Sequence, residues 1–406
     1  MEKLLLYKSL LSPQEFSALL QAAEGLKGKK IVHVNSTKEG GGVAELLSSL
    51  VSLSQELGLD MEWTTVQGNE AFFNCTKKFH NLLQGEDNSQ PDSALLACYE
   101  NTNKENAKAL QNILQNADFV FIHDPQPLAL IQHFPERKGK WVWRCHIDLS
   151  SPSKETWDYL KPWAGLYDAA IFSMAEFAEP LPCPTFIIPP GIDPFSEKNN
   201  ALASEEIELI CRDLKIENHP FLLQVSRFDK WKDPLGVIQA FQIIKTEHPH
   251  LQLVLAGSGA SDDPEGQTVF REVETAAAND PAIRVLLLPP TSHKIINALQ
   301  RGAAIVLQKS LKEGFGLTVA EALWKSKPVI GGNCGGIRLQ IVDHRSGLLV
   351  QSVAETAKGI SFLLQYPEKA AEYGENGREL VKERFLISRL LRDDLSILQN
   401  LTKRPL

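Results

Sequence analysis

No run of 18 or more apolar residues occurs anywhere in this 406-residue chain, so no segment reads as a membrane span. No long basic run occurs either, and 42 Lys and Arg against 50 Asp and Glu leave a net charge of −8, which argues against a nucleic-acid surface. Cysteine is sparse. The six residues Cys75, Cys98, Cys145, Cys183, Cys211 and Cys334 lie far apart with no C-x-x-C pair, which predicts reduced, mostly buried thiols in a cytoplasmic protein. Internal repeats and low-complexity segments are absent. The opening segment 1–13 has one apolar triplet interrupted by Lys8, too little for a signal peptide. What is present is ordinary globular composition, 43% hydrophobic and 23% charged, in a chain long enough for two or three domains.

Short apolar runs alternate with helix-length amphipathic segments, the pattern of parallel sheets with crossover helices. Strands are predicted at 31–35, 61–67, 119–124, 141–146, 169–174 and 185–190. A helix is predicted over 43–57, and the polar, aromatic stretch 70–115 reads as helical. At 189–194 the sequence Pro-Pro-Gly-Ile-Asp-Pro breaks the pattern and predicts a linker. Beyond it the alternation restarts, with strands at 221–226, 251–257, 283–288, 304–308, 328–331 and 348–350 and closing helices at 353–364 and 386–401. The expected fold class is α/β, with domains at 1–193 and 194–385 and a helix over 386–406 packing back on the first. Ligands of open parallel sheets bind beyond the carboxyl ends of the strands, so functional motifs should follow strands.

Three motifs do. Gly40-Gly41-Gly42 follows the strand ending at Asn35 and precedes a helix, where backbone can approach an anion closely. The G-x-G-x-x-G spacing of a dinucleotide site fails here, and a plain strand-to-helix turn is the competing reading. Ser226-Arg227-Phe228-Asp229-Lys230-Trp231-Lys232-Asp233 follows the first strand of the second half. Its Arg227 fork and Lys232 ammonium suit a diphosphate, although basic loop residues are often merely solvated. The most specific is Glu313-Gly314-Phe315-Gly316-Leu317-Thr318-Val319-Ala320-Glu321, two glutamates eight apart around a glycine turn. The N–H groups of Gly316, Leu317 and Thr318 could hold phosphate oxygens at the start of a helix. Glu321, one turn in, could accept from a ribose diol, and Glu313, before the helix, could reach the group that the diphosphate carries.

The E-x7-E turn, the Arg227/Lys232 loop and the triple glycine together resemble retaining GT-B glycosyltransferases of the glycogen-synthase-like class, family 4, over nearly the whole chain. The resemblance implies two Rossmann-like domains facing across a deep cleft, with the nucleotide-sugar held mainly by the second and the acceptor by the first. It implies Arg227 and Lys232 on the diphosphate, Glu321 on the ribose and Glu313 on the transferred sugar. A narrower likeness lies in 72–81, in His123-Asp124-Pro125-Gln126-Pro127, in Trp143-Arg144-Cys145-His146-Ile147-Asp148-Leu149-Ser150 and in 262–266. These are similar to the trehalose-forming members, which join nucleotide-glucose to glucose.

That likeness implies His146 at the donor sugar and reaction centre and Asp124 on an acceptor hydroxyl. A structural role is the competing reading for each histidine, and core packing is the competing role for Trp143, Trp157 and Trp163. The chain has no D-x-D triplet, the usual metal–diphosphate anchor of the other glycosyltransferase fold, so no cofactor or essential metal is expected. Expected partners are UDP- or ADP-glucose and glucose or trehalose, with a homodimer suggested by relatives. A trehalose phosphorylase or a family 4 transferase with another acceptor remains an open alternative.

Overall fold

The computed structural model describes residues 2–85, 90–216, 219–257 and 266–403. Of the segment 262–266 that carried part of the resemblance, residues 262–265 lie outside the described residues. The described residues form two compact units, one running up to Gly191 and resuming at Ile387, the other spanning Ile192 to Leu386.

The first unit is built on six parallel strands: β1 (Lys30–Asn35), β2 (Asp60–Thr65), β3 (Phe119–His123), β4 (Lys140–Cys145), β5 (Ala169–Phe172) and β6 (Thr185–Ile187), in the order β2-β1-β3-β4-β5-β6. The central strands are apolar on both faces, as a sheet covered on both sides requires. Trp141, Trp143, Phe119, Phe121 and Phe172 are almost entirely buried. The helix Ile387–Thr402 belongs to this unit and packs on the helices Pro13–Glu24 and Gly42–Glu56.

The second unit repeats the plan with β7 (Phe221–Val225), β8 (Gln252–Gly257), β9 (Ile283–Leu287), β10 (Ile305–Gln308), β11 (Val329–Gly332) and β12 (Leu348–Val350). Their order, β12-β11-β10-β7-β8-β9, is the doubly wound Rossmann arrangement. Its core joins Leu222, Leu253 and Ile330 of the sheet to Val237, Phe241 and Ile360 of the covering helices. The strands match the expected segments, usually ending one to three residues earlier. The cysteine expectation needs correction: all six are free thiols, but only Cys75 and Cys145 are buried, the other four being partly exposed.

Candidate active site

Each sheet has one point where the strand order reverses, between β1 and β3 in the first unit and between β7 and β10 in the second. Loops leaving such neighbours diverge and open a crevice beyond the strand ends. The glycines 40–42, Asp124, His146, Arg227, Lys232 and Glu313 lie at or just after one of these strands or β4, and Leu317, Thr318 and Glu321 lie in the helix that follows β10.

In the second unit, the loops after β7 and β10 are tied together. Leu311 N–H donates to the Trp231 carbonyl at 2.8 Å, and Gln224 Nε2 donates to the Lys232 carbonyl at 2.8 Å. Lys232 is carried on a short 3₁₀ turn, Lys230–Lys232, opened by Asp229, whose Oδ1 accepts from Trp231 N–H at 2.8 Å. This geometry brings Lys232 Nζ to 2.7 Å from Glu313 Oε2. Ser310 Oγ and Gln308 Nε2 donate to the same oxygen at 3.1 and 3.4 Å. Side-chain exposure is 18% for Lys232 and 8% for Glu313, so the pair is shielded yet reachable. Arg227 lies in the same loop, its guanidinium 3.9 Å from Asp229. Beside them the Lys309 ammonium pairs with Asp233, which also caps the helix Pro234–Ile244 through Gly236 N–H at 3.1 Å.

The turn carrying Glu313 is set by backbone. Gly316 caps the helix Leu317–Trp324 at φ +83°, a left-handed conformation that glycine adopts without the steric cost of a side chain. Buried Gln340 clamps the turn through the Phe315 carbonyl at 2.6 Å, and Thr318 Oγ1 fastens the helix to the Val225 carbonyl at 3.1 Å. The N–H groups of Leu317 and Thr318 lie in the first turn, where no intrahelical acceptor exists.

Glu321 contacts a different set of residues. It is fully buried, its Oε2 accepts from Gln300 Nε2 at 3.0 Å, and Lys198 Nζ lies 2.9 Å from Oε1. Lys325 bridges Gln300 and Asn199 at 2.7 Å each. Burial alone would raise the Glu321 carboxyl, but Lys198 and Lys325 outweigh it and hold its pKa below the usual carboxylate range.

In the first unit, Gly40 and Gly41 hold φ +75° and +82° as the chain leaves β1 and enters the helix Gly42–Glu56, and Gly41 and Gly42 are exposed. Asp124 follows β3 at φ +64°, a conformation rare for a non-glycine residue and often found at functional positions. Its Oδ1 accepts from His146 N–H at 2.7 Å, and its carbonyl accepts from Trp143 Nε1 at 3.2 Å. His146 follows β4 and is partly exposed, and its Nε2 lies 2.9 Å from His123 Nδ1. His123 Nε2 in turn lies 2.9 Å from His33 Nδ1. Trp143 and Trp157 are core residues, as their alternative reading held, while Trp163 is half-buried and bonds Gln132 at 2.9 Å.

Burial drives the pKa of His33 down to about 3 and those of His123 and His146 well below the usual histidine value, with the Arg144 guanidinium acting in the same sense on all three. The folded unit therefore holds these imidazoles neutral, whereas the unfolded chain protonates them below about pH 6.5. The unfolded state binds more protons there, so stability falls as pH drops from about 6.5 toward 3. His33 and His123 are each 1% exposed. Together they should cost about 2 kcal/mol between roughly pH 6.5 and 5.5. Denaturant midpoints of the native chain and His33→Phe at both pH values check this. The variant should show a smaller loss, and equal losses would contradict it.

Sequence reasoning missed His33, Lys309, Ser310, Gln300, Lys198 and Gln340. The signal for Lys309 and Ser310 is position, directly after the apolar run ending at Gln308. His33 interrupts the otherwise apolar stretch Ile31–Val34 of β1 and becomes visible only when the strand ends are aligned.

Among the described residues, no helix is long and apolar enough to cross a membrane, and no group of three or more His, Cys, Asp or Glu side chains could hold a metal ion. Two Rossmann-like sheets, each with polar residues gathered around its reversal point, define a GT-B protein. The fold is similar to that of a Burkholderia xenovorans α,α-trehalose-phosphate synthase (UDP-forming) solved in complex with glucose-6-phosphate. The likeness has a TM-score of 0.77 at 15% identity and covers 91% of this chain and 100% of that one. Residues 33–179 match the family model described as "Trehalose synthase, N-terminal domain", and residues 207–380 match "Glycosyl transferases group 1". A trehalose synthase of Pyrococcus horikoshii is 43% identical over 399 residues, 97% of this chain and 95% of that protein. One from Rubrobacter xylanophilus is 44% identical over 405 residues, 97% and 96% of the two chains. The chain belongs to the trehalose synthase family of glycosyltransferases.

Proposed function

We propose that this chain is a retaining glucosyltransferase that forms α,α-trehalose from UDP- or ADP-glucose and free glucose, and that runs in reverse from trehalose and nucleoside diphosphate. The observation that carries the reading is the Lys232–Glu313 pair at the reversal point of the second sheet, in a chain that is a trehalose synthase relative along almost its full length.

On this reading the second unit takes the donor. Arg227 and Lys232 face the diphosphate, and the first-turn N–H groups of Leu317 and Thr318, with Gly316, supply neutral donors to its oxygens. When the bond from the anomeric carbon to the diphosphate breaks, its electron pair moves onto the departing phosphate oxygen, and the two cations stabilise the charge that appears there. No resident cofactor is invoked, since these side chains carry the neutralisation. Glu313, held by Lys232, Ser310 and Gln308, accepts from hydroxyls of the glucosyl unit. Glu321 accepts from the ribose. A carboxylate has about four acceptor sites, so its bonds to Gln300 and Lys198 leave capacity.

The first unit takes the acceptor, with Asp124 at an acceptor hydroxyl, His146 beside the sugar, and the Gly40–Gly42 backbone near the anion. Donor and product are both α-linked, so configuration is retained. The incoming anomeric hydroxyl attacks on the face that the diphosphate leaves, and its proton passes to the departing phosphate oxygen. The protein then contributes positioning and charge rather than a nucleophile.

The alternative is a phosphorolytic enzyme of the same fold, with inorganic phosphate where the diphosphate is placed. Glu321 discriminates between the two only weakly, since a phosphorylase has no ribose to hold. Glu321→Ala should raise KM for the nucleotide-sugar with little change in kcat, the ribose being remote from the breaking bond. Steady-state kinetics at saturating glucose check this, and a change in kcat alone would contradict the ribose assignment.

A further inference from the structure

His33, Phe121, His123, Arg144 and His146 share one face of the first sheet. The parallel register sets His33 beside Phe121 and His123 beside Arg144, and the two-residue period returns His123 and His146 to the same side. Three imidazoles thus climb across β1, β3 and the end of β4 in one line. Ring centroids are 5.2 Å apart at each step, and both nitrogen–nitrogen contacts are 2.9 Å.

A neutral imidazole carries one donor and one acceptor, so the line can be protonated consistently in only two directions. In one, His33 Nδ1–H donates to His123 Nε2, and His123 Nδ1–H donates to His146 Nε2. The open ends are then a bare His33 Nε2 and a His146 Nδ1–H. In the other, every proton sits on Nε2, leaving an N–H at His33 Nε2 and a bare His146 Nδ1. The two ends are unequal. His33 Nε2 is buried with no hydrogen-bond partner among the described residues, whereas His146 is partly exposed. Leaving a buried N–H without an acceptor is costly, and orphaned buried N–H groups are the rarer defect in native proteins, so the first direction is favoured.

We infer that His33 and His123 are positioning residues that fix His146 as the Nδ1–H tautomer, so that it meets the sugar as a hydrogen-bond donor and not as a base. This rests on the reading that places His146 at the donor glucose. It assigns His146 to a sugar oxygen, and it leaves removal of the acceptor proton to the departing phosphate. Asp124 Oδ1 accepts from the His146 backbone N–H at 2.7 Å, next to this open edge. Arg144, the cation flanking the line, is bound to Asp394 and the Ile188 carbonyl.

The test is long-range ¹H–¹⁵N correlation on the full chain labelled with ¹⁵N-histidine, at neutral pH, with kinetics on two variants of His123. The native chain should show His33, His123 and His146 all protonated at Nδ1. His123→Phe keeps an aromatic ring but withdraws the donor. It should release His146 to Nε2–H and lower kcat roughly tenfold, the worth of one well-placed hydrogen bond. His123→Asn sets an amide N–H near the former Nδ1, and should keep His146 at Nδ1–H and recover most of kcat. Nε2–H on His33 or His123 in the native chain overturns the inference, as does His123→Phe with His146 still at Nδ1–H. The native tautomers need no variant and no turnover. A chain that shows Nδ1–H on all three but transfers no glucosyl unit therefore overturns the proposed reaction and upholds this assignment.

Discussion

Lys232→Ala is expected to lower kcat about a hundredfold, corresponding to loss of roughly 3 kcal/mol of stabilisation for charge that grows as the sugar–phosphate bond breaks. The interaction strengthens on the way to the transition state, so kcat and kcat/KM should fall together, with little rise in KM. Arg227→Ala should behave alike. Glu313→Ala should also lower kcat, because it orients the glucosyl unit. Lys232 and Glu313 are hydrogen-bonded to each other at 2.7 Å, so the double variant should lose clearly less than the sum of the single losses. Steady-state kinetics on these variants, with thermal melts to confirm folding, decide the matter. Near-normal kcat in Arg227→Ala and Lys232→Ala, with a trapped glucosyl-enzyme on some other carboxylate, would replace the single-face route by double displacement.

Asp394→Ala should destabilise the first unit by about 3–5 kcal/mol, lowering its melting temperature on the order of 10 °C. Arg144 and Asp394 are 2% and 3% exposed. Arg144 Nη1 reaches both carboxylate oxygens, at 2.8 and 2.9 Å, and its Nη2 donates to the Ile188 carbonyl at 3.0 Å. The variant leaves a guanidinium buried without its counter-charge, which is far worse than losing the pair together. Arg144→Met with Asp394→Leu should therefore be the milder change. Melts of the single and double variants read this directly. A double variant no more stable than Asp394→Ala would contradict it.

The strands were legible because parallel strands covered on both faces must be apolar throughout, and turn residues bound each run. Their ends were less so. The pattern predicts a strand over 185–190, but β6 stops at Ile187, since Pro189 and Pro190 have no N–H to give a ladder. The helix Pro13–Glu24 went unread although its signal is plain. Ser12 caps it, Pro13 opens it, and Glu15 closes a capping box three residues on. The helix Pro367–Arg384, likewise opened by a proline, was also passed over. In the site, Glu313 and Lys232 each stood out within a motif, but their contact spans 81 residues and depends on β10 lying beside β7. The place of Glu321 one turn into the helix and the family resemblance both point it at a ribose. Lys325 is its i,i+4 neighbour at the end of the same helix, but Gln300 and Lys198 come from elements that no local pattern connects to it. The histidine line follows the same rule, with one residue per strand and no meaning until the strand order is known.

The most direct test of the central claim is product analysis of the purified full chain given glucose with UDP-glucose or ADP-glucose, and separately trehalose with nucleoside diphosphate or inorganic phosphate. The account requires α,α-trehalose and nucleoside diphosphate in the first reactions, and nucleotide-glucose from trehalose and diphosphate in the reverse. No nucleotide-glucose from trehalose and either diphosphate, with glucose 1-phosphate formed from trehalose and phosphate, would contradict it.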